Sequence, residues 1–167
     1  MIRDRSESAQ NVNQRRDGAL RSLVEQVPYL GFLGVQFDRR GDDLTAVLPF
    51  NEILIGNPRL PALHGGATAA FLEITATIGL SWATLWDDIE SGALQGLEDG
   101  SGVPPGLPKT IDLTVEYLRS GFPRDSYARA QVTRSGRRYA TVHVTAWQDE
   151  RDRPFAQATG NFLMAPR

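Results

Sequence analysis

The sequence predicts an α+β fold in which one long central helix is wrapped by a curved antiparallel sheet of about six strands. Three observations carry that expectation. Residues 63–86 form a run of small and apolar residues without proline, far longer than an ordinary strand, which reads as a helix buried on most sides. The last third of the chain alternates apolar and polar residues in four segments separated by turn residues, the pattern of half-buried strands. In the first third, a shorter pair of such segments flanks Gly41-Asp42-Asp43, which has the composition of a hairpin turn.

Taken in order, residues 1–12 are charged and polar without periodicity and read as a tail. In 13–27, Leu20, Leu23, Val24 and Val27 recur at helical spacing, predicting a short amphipathic helix that Pro28 ends. Residues 1–28 are therefore read as tail and helix, and 29–167 as a single domain. Residues 29–35, with Gly31 and Gly34, give a turn into a first strand that 36–39 continue, and 44–48 return as its hairpin partner. Pro49, Asn51, Gly56, Asn57, Pro58 and Pro61 punctuate a loop over 49–63 that delivers the chain to His64. After the helix, 87–108 is rich in Gly, Pro, Asp and Glu, a loop long enough to be mobile or to act as a lid. Strands follow around Ile111, Leu113, Val115 and Tyr117, then Ala128, Ala130 and Val132, then Ala140, Val142, Val144 and Ala146, then Ala156, Ala158, Gly160 and Phe162. The short turns between them predict an antiparallel meander.

Composition narrows the function. A chain of 167 residues with 41% hydrophobic and 23% charged content suits one soluble domain. A net charge of −2, without any block of Lys and Arg, gives no footprint for nucleic acid. Zero cysteines exclude disulfides, thiolate metal sites and a cysteine nucleophile. The polar first residues carry no secretory signal, so a cytoplasmic location is expected. The helical run is long enough to span a bilayer, but Glu73, its threonines and Ser81, together with the lack of a basic flank, argue against a membrane. The two histidines, His64 and His143, lie far apart in sequence, and no His-Glu-x-x-His, Gly-x-Ser-x-Gly, Walker or dinucleotide motif is present, so no metal site is expected.

What remains is the start of the helix and one carboxylate inside it. Unpaired N–H groups and the positive dipole end gather at a helix N-terminus, and Gly65 and Gly66 let a substrate carbonyl approach the backbone. That combination builds an oxyanion site. Plain helix-start geometry also explains the glycines, and His64 reads equally as a cap or as a substrate contact. Glu73 loses hydration in an apolar helix, so it is either satisfied by a neighbour or prepared for acid, base or nucleophile work. At about 1.5 Å per residue, Gly65 and Glu73 stand roughly 12 Å apart. One carbonyl cannot contact both within one chain, so if both act they come from two copies related by a two-fold axis. Thr77, one turn after Glu73, can orient its carboxylate or a water, or can satisfy its own helix backbone.

These residues resemble the hotdog-fold acyl-CoA thioesterases, in particular the branch of the phenylacetate-degradation and 4-hydroxybenzoyl-CoA thioesterases. The resemblance covers roughly residues 29–163. It rests on Gly56-Asn57-Pro58 before Leu63-His64-Gly65-Gly66, on a carboxylate eight positions after Gly65, and on the 111–117 strand ahead of the strands ending in Ala156-Gln157-Ala158-Thr159-Gly160. It implies a hotdog fold and hydrolysis of an acyl- or aroyl-CoA to free acid and CoA, by a homodimer or a tetramer made of two dimers. No cofactor is implied beyond the coenzyme A of the substrate. The implied roles are Gly65 as oxyanion donor, His64 at the acyl end, Glu73 as nucleophile or as the base activating water, and Thr77 as helper. Asn57, Gly66 and Thr110 are implied as substrate or water contacts. Arg137, Arg138 and Arg119 are candidates for the coenzyme A phosphates. A non-catalytic acyl-CoA sensor and a hotdog hydratase or dehydratase are the competing readings.

Overall fold

The computed structural model describes residues 9–91, 94–97 and 99–166. Its elements, in chain order, are α1 (Ala9–Glu25), α2 (Pro28–Leu33), β1 (Gln36–Arg40), β2 (Asp43–Leu48), α3 (Gly65–Glu90), β3 (Lys109–Tyr117), β4 (Ser126–Ser135), β5 (Tyr139–Trp147) and β6 (Ala156–Leu163). All six strands join one antiparallel sheet in the order β1-β2-β4-β5-β6-β3. The sheet wraps α3, which is the hotdog arrangement.

The period-2 pattern of the strands decides which side meets the helix. Ala128, Val142, Val144, Ala146, Ala156, Ala158 and Phe162 are buried, while their neighbours along each strand are half-buried or exposed. From α3, Phe71, Leu72, Ile78 and Leu80 fill the space opposite them. Each such side chain contributes about 1.5–3 kcal/mol on full burial. By length and composition α3 passes as a membrane span, and here its apolar sides form the core beneath the sheet.

Sequence pattern and structure differ in four places, each for a physical reason. Residues 29–35 begin with α2 rather than a strand: Pro28 opens that helix at its first position. Gly34, in the left-handed region at φ 74°, closes it, with the Val35 N–H bonded to the Leu30 carbonyl at 3.1 Å. Helix α1 begins at Ala9, inside the stretch read as tail, and residues 1–8 lie outside the described residues. Ala19, Leu20 and Leu23 join the core, and Arg39 to Asp17 at 2.8 Å and Arg16 to Asp42 at 2.6 Å tie α1 to the β1–β2 hairpin. At its far end α3 continues to Glu90, which shortens the loop read over 87–108.

The fourth difference is topological. Strands β4, β5 and β6 do form a meander, but β3 sits at the sheet edge beside β6, and the chain crosses to β4 in the middle. Register aligns Tyr117, Ala156, Ala146 and Ala128 at one end of the sheet. The crossing therefore spans three strand spacings, about 14 Å. The eight residues 118–125 cover it easily, since they reach roughly 26 Å when extended.

Close seating of α3 on β4 depends on one missing side chain. A Cβ at Gly79 would stand 2.5 Å from the Ala130 Cβ. Gly79→Ala gains about 1 kcal/mol in helix propensity but must push helix and sheet apart, an overpacking that costs about 1–3 kcal/mol. We expect a net loss of stability in urea denaturation, relieved when Ala130→Gly is added. A stabilised single variant would show that the helix has room to move.

Candidate active site

The loop before α3 is held so that His64 enters the helix at a set angle. Its backbone N–H donates to the Leu54 carbonyl at 2.7 Å, and the Leu63 N–H donates to the Gly121 carbonyl at 2.9 Å. Gly56 passes so close that a Cβ there would lie 2.8 Å from the His64 Cα. With φ −62° and ψ 130°, His64 is the N-cap, and its Nδ1 accepts the Gly66 N–H at 2.9 Å. An accepting Nδ1 places the ring proton on Nε2. His64 is thus a cap, and Gly66 has its N–H committed to it. The Gly65 and Ala67 N–H groups are the donors of this first turn left without an acceptor among the described residues, and Gly65 stands at the very end of the helix.

Tyr117 is part of this helix start and was not singled out by sequence reasoning. Its hydroxyl donates to the Gly65 carbonyl at 2.7 Å from the end of β3. Alternation reads Tyr117 as one more inward-facing strand residue, yet it is 55% exposed. Only the crossing of β3 past the helix N-terminus gives it this role, and no local signal in the sequence marks it. Gly56 is similar: its motif was visible, but its contact with His64 was not.

Along α3, at 100° per residue, Gly66, Ala69, Ala70, Glu73 and Thr77 share one side of the helix. The sheet leaves that side partly open. Glu73 is half-buried rather than enclosed, and no described side chain in the same chain hydrogen-bonds or ion-pairs with its carboxylate. Thr75, Ser81 and Thr84 return their hydroxyls to the helix backbone, at Phe71, Thr77 and Leu80 respectively. Thr77 makes no such bond, so its hydroxyl is available one turn from Glu73. By the helical rise, Gly65 and Glu73 remain about 12 Å apart.

The other candidates are not gathered here by a single chain. Asn57 uses its side-chain oxygen to accept the Arg59 N–H at 3.0 Å within its own exposed loop. Thr110 lies on β3 seven residues from Tyr117, about 23 Å along the strand from the helix start. Arg137 and Arg138 are exposed in the β4–β5 turn, at the sheet end marked by Tyr139, Leu163 and Lys109. That end is about 26 Å from the Tyr117 end. Arg119 is at the same end as His64, two residues beyond Tyr117. His143 is on the outer sheet face between Thr159 and Thr145, away from His64.

A cleft of about 850 Å³ lies along α3 but does not include Glu73. Its helix residues Thr75, Gly79, Trp82 and Trp86 occupy the opposite side of α3, with Ala83 at the margin of that side. A smaller pocket of about 340 Å³ touches Ser81, Thr84, Leu85 and Asp88, on the Glu73 side.

Comparison with known proteins identifies the family. The family model described as the acyl-CoA thioesterase N-terminal domain matches residues 57–163, which contain the helix start, Glu73 and strands β3–β6. The chain is 28% identical over 146 residues to a medium/long-chain acyl-CoA thioesterase, YigI, of Salmonella typhimurium, covering 85% of this chain and 88% of that protein. The YigI protein of Escherichia coli K12 is 26% identical over 145 residues, with the same coverage of both proteins. Among solved structures, a protein from Chromobacterium violaceum superposes with a TM-score of 0.63 at 30% identity, covering 95% of this chain and 98% of that one. The PaaI protein of the Escherichia coli phenylacetic acid degradation operon shares the fold alone, with a TM-score of 0.67 at 13% identity over 91% of this chain and 94% of its own. The match over residues 57–163 makes this chain a member of the acyl-CoA thioesterase family.

Proposed function

We propose that this acyl-CoA thioesterase hydrolyses medium- to long-chain acyl-CoA at a centre shared by two copies of the chain. The observation that carries this is the Glu73 carboxylate, without a partner among the described residues of its own chain, on a partly open side of α3. The acyl length follows the YigI relatives, which are medium/long-chain acyl-CoA thioesterases.

Two features support a two-fold partner on that side. Strand β3 is a sheet edge, with Ile111 at 54% and Tyr117 at 55% exposure, and an unpaired edge of this kind accepts a second strand. Pairing two β3 strands antiparallel continues the sheet and sets two α3 helices side by side in opposite directions. The small residues Gly66, Ala69 and Ala70 permit close approach, so the Gly65 end of one helix meets Glu73 of the other. Arg137 and Arg138 then fall at the end of the dimer nearest the partner's helix start, within reach of the coenzyme A phosphates. Association of two such dimers into a tetramer leaves the centre unchanged. We place the reaction in the cytoplasm, where coenzyme A esters are made and used.

In this centre the Gly65 N–H of one copy donates to the thioester carbonyl and stabilises the oxyanion that forms on attack. His64 holds the Gly66 N–H and so fixes the direction of its neighbour. Glu73 of the other copy acts in one of two balanced ways. It takes a proton from water, which adds to the carbonyl carbon, and the C–S bond breaks to give acid and CoA thiol. Alternatively its carboxylate adds to that carbon, expels the thiolate and forms an anhydride that water then cleaves. The Thr77 hydroxyl holds the carboxylate or the water in either route. Asn57 from the copy that supplies Gly65 and Thr110 from the copy that supplies Glu73 are proposed as further water or substrate contacts.

Glu73→Ala and Glu73→Gln are expected to lower kcat by about 10²–10⁴ with KM changed little, read as release of free thiol. The cysteine-free protein gives no thiol background. Unchanged turnover would remove Glu73 from the chemistry.

Gly65→Pro tests the donor directly. Position N1 of a helix accepts proline, and the extended backbone of His64 suits a residue preceding one. The fold is therefore kept while the N–H is lost, and kcat should fall by about 10²–10³. Mixing Gly65→Pro with Glu73→Ala subunits creates hybrids with one intact site of two, recovering up to about a quarter of wild-type activity if subunits exchange freely. No recovery after demonstrated exchange would place both groups in one chain's site.

A further inference from the structure

We infer that the acyl chain runs from Glu73 along α3 toward the helix C-terminus and ends in the pocket closed by residues 103–108 and the C-terminal residues Met164, Ala165 and Pro166. This rests on the thioesterase reading above and assigns a specificity role to a loop that the reaction itself does not use.

Direction comes first. Relative to Glu73, Thr84 is turned by roughly 20°, Asp88 by 60° and Ser81 by 80° around the helix. All three line the pocket, and they continue the open side on which Thr77 lies. Ser81 and Thr84 stand about 12 and 16 Å along the axis from Glu73, a distance that an extended medium-length acyl chain covers. The cleft near Trp82 and Trp86 lies on the other side of α3 and offers no such path.

Chemistry comes second. The pocket, about 340 Å³, falls within the range of about 300–1,000 Å³ for small-molecule sites. Leu85, Leu94, Val103, Pro104, Pro105 and Met164 form most of its walls; among the described residues Asp88 is the one charged group that lines it, and no Lys or Arg does. Ser81 and Thr84 have their hydroxyls bonded to Thr77 and Leu80 carbonyls, so they ask for no polar partner. Such a lining suits methylenes and does not suit the phosphates of coenzyme A. Pro104, Pro105 and Pro108 fix φ along the loop and make the far wall stiff. A stiff end wall limits chain length.

The test is a chain-length profile of kcat/KM from acetyl- to palmitoyl-CoA for wild type and three variants, with a thermal melt to confirm folding. Thr84→Phe fills the pocket and should lower kcat/KM for the longest accepted chains at least about tenfold, leaving short chains within about twofold of wild type. Met164→Ala opens the wall and should extend the profile to longer chains; it carries the test alone if Thr84→Phe does not fold. Ala83→Phe fills the separate cleft beside Trp82 and Trp86 and should leave the profile unchanged. Profiles unmoved by Thr84→Phe and Met164→Ala, or moved by Ala83→Phe instead, would overturn the assignment. A uniform rise in KM at every chain length would put the pantetheine arm in this pocket and overturn it too. If wild type hydrolyses none of the esters, the thioesterase reading itself fails, a result distinct from an active enzyme with unmoved profiles.

Discussion

Everything at the candidate site depends on how the sheet covers α3 while leaving the side of Glu73 and Thr77 partly open. Strands β4, β5 and β6 cover the face that carries Phe71, Leu72 and Ile78, and α1 covers part of the next. A helix with an apolar surface all round is normally stable only when wholly enclosed. Here the open strip is made of Gly66, Ala69, Ala70, Glu73 and Thr77, residues that lose little by facing water. The strip is therefore tolerable in one chain and at the same time well shaped for a second helix. The close contact between Gly79 and Ala130 on the opposite side fixes the rotation of α3, and with it the direction in which Glu73 points.

The helix start shows how few groups are needed to hold the end donor in place. A helix N-terminus offers several N–H groups without intrahelical partners. His64 takes that of Gly66 through its side chain, and its carbonyl takes that of Thr68. Tyr117 acts from the other direction, bonding the Gly65 carbonyl and so holding the plane of the following peptide. What survives is the N–H of Gly65 and, one turn position in, that of Ala67, in a turn pinned by β3 and by the 54–63 loop. Pre-orientation of this kind matters because a donor that need not reorganise loses nothing when charge develops on the substrate oxygen.

Much of this was legible in the sequence, because the strongest signals are periodic or covalent. The long apolar run without proline could hardly be anything but a buried helix, and the strands follow from strict alternation around Val142, Val144, Ala156 and Ala158. The approximate 12 Å between Gly65 and Glu73 follows from helical rise alone. What was not legible depends on long-range placement. Tyr117 alternates like any strand residue, and only the topology carries it to Gly65. The edge position of β3 is invisible because a loop that crosses the sheet end and a loop that makes a hairpin can have the same composition. Pro28 was read as a stop, whereas proline at the first position of a helix is also a start; the αL glycine at Gly34 was the signal that distinguishes the two.

The same open side of α3 resolves how one short chain can divide its tasks. Catalysis needs charge, a free N–H and access for water, while selection of an acyl group needs a dry and rigid wall. Two opposite requirements cannot share one small volume, but they can share one helix face if they are separated along its axis. Glu73 and Thr77 occupy the middle of α3, where the neighbouring residues are small. Ser81, Thr84 and Leu85 lie a few turns on, where hydroxyls are turned back to the helix and a proline-rich segment closes over them. Change in the 103–108 wall can thus alter the acyl group accepted without touching Gly65, His64 or Glu73, because the helix between them transmits position and little else.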